Sequence, residues 1–160
     1  MAASPPDIPK GDGDLPVLRR LLLGLFLFGV LGTAVELVLL EHTEGFWQWV
    51  PLALIALALL PLAWFAVSPG AAPLRVFRGF MIAFLASGIT GLVLHYLGNV
   101  EFELEMYPSL AGPELFWKAI TGATPALAPG TMILFGLLGL AYAWRHPGLA
   151  LHDGHTPQGD

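Results

Sequence analysis

The chain contains no cysteine, so disulfide scaffolds, thiol redox relays, cysteine nucleophiles, iron–sulfur clusters and cysteine zinc sites are excluded at the outset. Charge is scarce as well. Only 12% of the 160 residues are Asp, Glu, Lys or Arg, about half of what a water-covered globule of ordinary composition carries. The seven Lys and Arg residues are scattered and outnumbered by twelve Asp and Glu, and the net charge is -5. No basic patch exists to neutralise a run of phosphates, which excludes nucleic acid as a partner. Glycine-rich phosphate loops, HExxH and GxSxG strings are missing too, and with them the chemistries those motifs carry.

What the chain has instead is apolar surplus. Hydrophobic residues make up 56%, and the mean hydropathy is +0.70. Four runs reach the roughly 20 residues a bilayer crossing needs: about 21–40, 49–67, 79–98 and 127–144. Their only carboxyl or imidazole side chains are Glu36 and His95, and none carries Lys or Arg. None alternates with the two-residue period of a barrel strand. The expected fold is all-α: a polytopic four-transmembrane-helix bundle over 17–146, with tails at 1–16 and 147–160 that read as disordered. The first run follows Arg19 and Arg20 like a signal peptide, but it is too long and ends without a small-residue cleavage site, so it is expected to stay.

Basic residues set the orientation. With the N-terminus cytoplasmic, Lys10, Arg19, Arg20, Arg75, Arg78 and Arg145 lie inside and only Lys118 outside. The outer side then carries Glu41, Glu44, Glu101, Glu103, Glu105 and Glu114. Trp47, Trp49 and Trp117 fall at the outer boundary, Trp64 and Trp144 at the inner, as indole rings prefer. Both termini are expected in the cytoplasm.

The connection between the third and fourth runs is the longest, and a structured extracytoplasmic loop is expected there. Strict alternation over 100–106 suggests an extended segment with Glu101, Glu103 and Glu105 on one face. Residues 112–120 suggest a short interfacial helix, with Pro113 in its first turn, Glu114 one turn before Lys118, and Leu115, Phe116, Ala119 and Ile120 on one side.

In the first run Gly29, Gly32, Thr33 and Glu36 step by three and four, and in the third Ser87, Gly91 and His95 step by four. Such small residues allow close helix packing, so both ionisable groups are expected to face the bundle, where Glu36 and His95 could meet. Glu41, His42, Tyr96, Asn99 and the three loop glutamates would join them in one outer Glu/His cluster. A structural hydrogen bond is the leading interpretation. Next come a metal site on Glu36, His42 and His95, then a proton or cation relay, then a haem between His42 and His95. No cofactor is expected on the leading interpretation. His152 and His155 read as tail residues, and Pro61 and Pro129 as static kinks.

A resemblance rests on Glu36-Leu-Val-Leu-Leu-Glu-His42, Trp47-Gln-Trp-Val-Pro-Leu52, His95-Tyr-Leu-Gly-Asn-Val-Glu-Phe-Glu-Leu-Glu-Met106 and Gly122-Ala-Thr-Pro-Ala-Leu-Ala-Pro-Gly-Thr-Met132. Over about residues 18–147 the chain resembles an uncharacterised family of small bacterial four-helix integral membrane proteins with no assigned activity. That resemblance implies a bacterial plasma-membrane location and no mechanism. A looser similarity, to small multidrug exporters, rests on four helices with a glutamate in the first, although Glu36 lies near the outer end and not mid-membrane. The function expected is a non-enzymatic accessory or assembly component in the bilayer, bound to a membrane-protein partner or to its own copies. The alternative is a small transporter or metal-binding protein using the outer cluster.

Overall fold

The computed structural model describes residues 13–122 and 124–152. Lys10 and the rest of the N-terminal tail through residue 12, and the C-terminal tail from residue 153 with His155, lie outside the described residues. The described chain is helical: α1 (Asp14–Leu39), α2 (Phe46–Val67), α3 (Ala71–Met106), α4 (Gly112–Ile120) and α5 (Gly130–Ala143), then a 3-10 turn at Pro147–His152. Three of these, α1, α2 and α3, are long and apolar enough to cross a membrane, and α5 is a shorter apolar helix.

The helices run up and down around α3, which packs on α2, α4 and α5, while α1 closes the bundle against α5 and α2. One end gathers Arg19, Arg20, Arg75, Arg78 and Arg145. The opposite end carries Glu41, Glu44, Glu101, Glu103, Glu105 and Glu114, with Lys118. All five tryptophans lie at these ends, and Trp47, Trp49, Trp64, Trp117 and Trp144 are exposed.

The core is built from large side chains. Phe26, Val30, Leu74, Phe77, Met81 and Phe84 are fully buried, with Phe26 edge-on to Phe77 at 5.5 Å. Where α3 meets α5 the side chains vanish instead. A Cβ on Gly88 would stand 2.9 Å from the Ile133 amide nitrogen and 3.0 Å from the Pro129 carbonyl oxygen, and one on Gly136 would stand 2.8 Å from the Met81 carbonyl oxygen. Only glycine lets the two backbones approach this closely, and in lipid such close packing replaces the hydrophobic drive between helices.

The segment 100–106 continues α3, where an extended chain was expected. A lone strand has no edge to pair with, whereas prolonging a formed helix needs no new nucleus. Asn99, Val100, Glu103 and Leu104 are the residues turned inward, the spacing of a helical face packed on α4. At 36 residues α3 is about 54 Å long, well beyond the roughly 30 Å of bilayer hydrocarbon. Helix α4 has its expected bounds, with Pro113 in the first turn. Its Lys118 stands over the Tyr107 ring, 4.2 Å from the centroid.

At the other end the tail expected from 147 is, through residue 152, a 3-10 turn folded onto the core. Gly148 is buried between Phe65 and Leu74, and Leu149 packs beside them. Proline shapes α5: Pro125 and Pro129 lack amide protons, so 125–132 is held by short-range turns such as Ala128 to Pro125 (3.1 Å) and Met132 to Pro129 (3.0 Å) before the regular ladder begins. Pro61 is accommodated inside α2.

Candidate functional site at the acidic end

The turn between α1 and α2 is stitched residue by residue. Beyond the C-cap Leu40, Glu41 takes a left-handed backbone (φ 52), its N–H donates to Val38 O (3.1 Å), and the His42 N–H reaches back to Leu37 O (2.9 Å). This is the double hydrogen-bond signature of a Schellman stop, with glutamate where glycine is usual. On the other side Gln48 Oε1 accepts the Glu44 and Gly45 amides (2.6 and 3.1 Å), and Trp49 Nε1 donates to Thr43 O (2.9 Å). His42 is thereby held in one place.

That place is beside His95. The two imidazole centroids are 6.3 Å apart and tilted by 46°. His95 Nδ1–H donates to Pro125 O (3.2 Å), which leaves Nε2 as the ring's free acceptor. The His42 pKa is lowered from its ordinary value, first by burial and then by repulsion from His95. Both rings are half-buried.

Asn99, one turn farther along α3, is buried at 1% exposure and, apart from the Tyr142 hydroxyl, is the one polar side chain among the described buried residues. Its Nδ2 donates to Ala119 O (2.8 Å) and Thr124 O (2.7 Å); its Oδ1 accepts the Thr124 amide (3.1 Å) and the Thr124 hydroxyl. All of its amide hydrogen-bonding capacity is spent on α4 and the turn after it, where Gly122 is also pressed against Asn99. Asn99 is a staple and has nothing left for a ligand.

The rest of the expected cluster disperses. Glu36 is exposed, contrary to the expectation that it faces the bundle. Val30 marks the buried face of α1, and six residues on, at 3.6 per turn, Glu36 stands about 120° away round the helix. The stripe of small residues was a misleading guide because Phe26 and Val30, not glycines, fill the α1 interface. Gly29 does lie under the Phe135 ring and Thr33 is half-buried, but Gly32 meets nothing within 4 Å. On α3 the reading fares better: Ser87 is half-buried, and a Cβ on Gly91 would touch Pro129 at 2.6 Å. Glu101, Glu103 and Glu105 ride the helix extension about 9 to 15 Å beyond His95 at the usual rise, and Glu41 is exposed. Among the described residues no three His, Asp or Glu side chains converge as a metal-ligating group.

Sequence reasoning missed Thr124, Pro125 and Gly122 as partners of the site, and Gly88, Gly136 and Gly139 as the tight contact. Two glycine pairs at a spacing of three, 88 with 91 and 136 with 139, were the available signal. The chain matches no family model, no curated protein and no solved structure.

Proposed function

We propose that the chain is a four-span protein of the bacterial plasma membrane, with α5 and the preceding turn as the fourth crossing and both termini cytoplasmic. It acts as a non-enzymatic accessory or assembly component. One observation carries this reading: between its two ends the bundle is closed by apolar packing, from Phe26 and Phe77 through Met81 and Phe84 to Met132 and Phe135. Beyond the Tyr142 hydroxyl at the basic end, an ion following that axis meets no polar side chain among the described buried residues until Asn99, and Asn99 is fully engaged. A desolvated charge on such a path costs several kcal/mol or more. Activity then belongs to the outside of the bundle, where Glu36 sits exposed as the only charged residue of α1 beyond Arg20, a carboxylate that a donor on a neighbouring membrane helix could satisfy.

The test combines two measurements. Proteoliposomes carrying a pH-sensitive dye are expected to show no proton or cation flux, and a photo-crosslinker at Phe28, which is 82% exposed, is expected to trap one membrane-protein partner or a second copy in cells. Flux abolished by Glu36→Gln would overturn the accessory reading. Crosslinks to lipid alone would do so as well. The orientation is read separately: a reporter active only outside the cytoplasm should be active after residue 110 and silent at the C-terminus.

The pairing of His42 with His95 favours a second reading, a transition-metal site bridging the two rings. Metal–nitrogen bonds of about 2.0–2.1 Å bring one ion within reach of both, and a backbone carbonyl on the far nitrogen is the usual support of a metal-bound histidine. Stoichiometric zinc or copper lost in His95→Ala supports it; unchanged thermal stability on adding either metal refutes it.

A further inference from the structure

The basic end holds a cleft that the function above leaves unused. It lies between the first turns of α1 and the end of α5, is open to the surface with a volume of about 240 Å³, and is lined by the apolar Pro16, Leu23 and Pro147 and by Arg19, Arg20, Tyr142 and His146. The volume would hold about eight waters at roughly 30 Å³ each, enough for a phosphate and part of its ester. No acidic side chain lines it among the described residues.

The polar wall is assembled by specific contacts. Arg19 is half-buried and gives one guanidinium proton to Arg145 O (3.0 Å), a carbonyl presented by a residue with left-handed backbone (φ 44). That contact fixes the guanidinium and leaves its remaining protons free for another acceptor. His146 Nδ1 accepts the Gly148 amide (3.1 Å), so in the neutral ring the proton sits on Nε2 and makes it a donor. The ring is held edge-on by Phe65 at 5.2 Å. Tyr142 is 5% exposed, packed edge-on to Phe77, and its hydroxyl has no hydrogen-bond partner among the described residues. Two guanidinium groups, a hydroxyl able to donate and an imidazole N–H thus line one cleft that has no carboxylate among its lining residues. Trp64 and Trp144 are exposed at the same end, the level at which indole rings meet lipid headgroups.

We propose that this cleft binds the phosphate of an anionic phospholipid headgroup, with Arg19 and Tyr142 as its principal donors and the acyl chains lying along the α1/α5 surface beside Leu23. The assignment goes beyond the accessory role and rests only on the membrane placement proposed above, whose failure would show in the reporter fusions and not in the binding measurement. Basic pockets between helices on the cytoplasmic side suit such headgroups, whereas a diffuse belt of arginines attracts anionic lipid without selecting a site.

The experiment compares thermal stability of the full chain in mild detergent while titrating phosphatidylglycerol, cardiolipin, phosphatidylcholine or inorganic phosphate. Phosphatidylglycerol or cardiolipin is expected to raise the midpoint saturably, and phosphatidylcholine and inorganic phosphate to leave it unchanged. Arg19→Gln and the charge-neutral Tyr142→Phe should each weaken the anionic lipid at least tenfold, and Arg75→Gln, which removes the same charge from the same end outside the cleft, should not. Equal losses in Arg19→Gln and Arg75→Gln would overturn the proposal in favour of diffuse attraction. An unchanged affinity in Tyr142→Phe, which keeps every charge and nearly every packing contact, would overturn it even if Arg19→Gln failed to fold. An equal response to inorganic phosphate would overturn the lipid assignment.

Discussion

Replacing Asn99 by leucine keeps a side chain of similar size on α3 and removes all four hydrogen bonds that tie the helix to α4 and the turn after it. In the folded chain the Ala119 and Thr124 carbonyls and the Thr124 amide lose their partner, and each buried polar group left unsatisfied costs about 1–3 kcal/mol. The full sum is not expected, because Thr124 is exposed and can turn to water once the staple is gone. Release of the turn caps the loss at roughly 2–4 kcal/mol, a midpoint lower by upwards of about 5 °C for a chain of this length. Asn99→Asp is the sharper probe. A carboxylate can still accept the Thr124 amide and hydroxyl, but its second oxygen would face the Ala119 and Thr124 carbonyls with nothing to donate. Asn99→Asp should therefore destabilise at least as much as Asn99→Leu and recover as pH falls and the acid protonates. Thermal unfolding followed by tryptophan fluorescence gives the midpoints, and hydrogen exchange at the Thr124 amide reports whether the turn has let go. Unchanged Thr124 protection in Asn99→Leu would refute the staple and return Asn99 to the candidates for binding a ligand.

Further substitutions probe the caps, the tight contact and the histidines. Glu41→Gly, at a position with φ 52, should raise stability by about 0.5–1 kcal/mol in the same melting assay by removing the left-handed penalty. Gly88→Ala should cost about 1–3 kcal/mol, since backbone atoms of α5 must move, whereas Gly98→Ala, with nothing within 4 Å, should be neutral or stabilising. His42 and His146 both have lowered pKa values, so the folded state binds fewer protons than the unfolded one. Their stabilising contribution is complete above the ordinary value of 6.5 and is lost as pH falls below it. A melting series from pH 8 to 5 should show that decline, flattened in part by His42→Gln; a stability that rises toward pH 5 would contradict the sign.

Periodicity and composition made the helices legible, since apolar runs of bilayer length leave little alternative for a backbone that needs internal hydrogen bonds. The division of charge between the two ends was legible for the same reason. The segment 100–106 was misread because alternate apolar and acidic residues fit a strand in isolation; only the presence of α3 behind it and α4 beside it makes the helix cheaper. Glu36 was misplaced because a stripe of small residues indicates where helices can approach, not where they do, and Phe26 and Val30 decide the rotation of α1 by filling the core. Depth put His42 and His95 at one level, but the pair expected to meet was Glu36 with His95, and the ring beside His95 is that of His42. The roles of Thr124 and Pro125 were not, because a turn's backbone partners depend on how the loop returns, which no local pattern records.

The two ends of the bundle share a construction that bears on where function lies. At each end a helix stops on a residue with left-handed backbone that is not glycine, Glu41 after α1 and Arg145 after α5. A histidine follows at once: His42 turns to His95, and His146 turns to Tyr142 and the cleft. The left-handed conformation costs an ordinary residue about 1–2 kcal/mol, and glycine would end either helix without that cost in a chain that has 19 glycines elsewhere. A stop that served only to reverse the chain would gain nothing from a charged side chain there. The Arg145 position has a visible return, because its carbonyl holds the Arg19 guanidinium at the cleft. Glu41 has none among the described contacts of a single chain, and its carboxylate is exposed. The strain is thus located at the two places where the apolar scaffold gives way to converging polar groups, which is where local strain is tolerated when the surrounding structure fixes it.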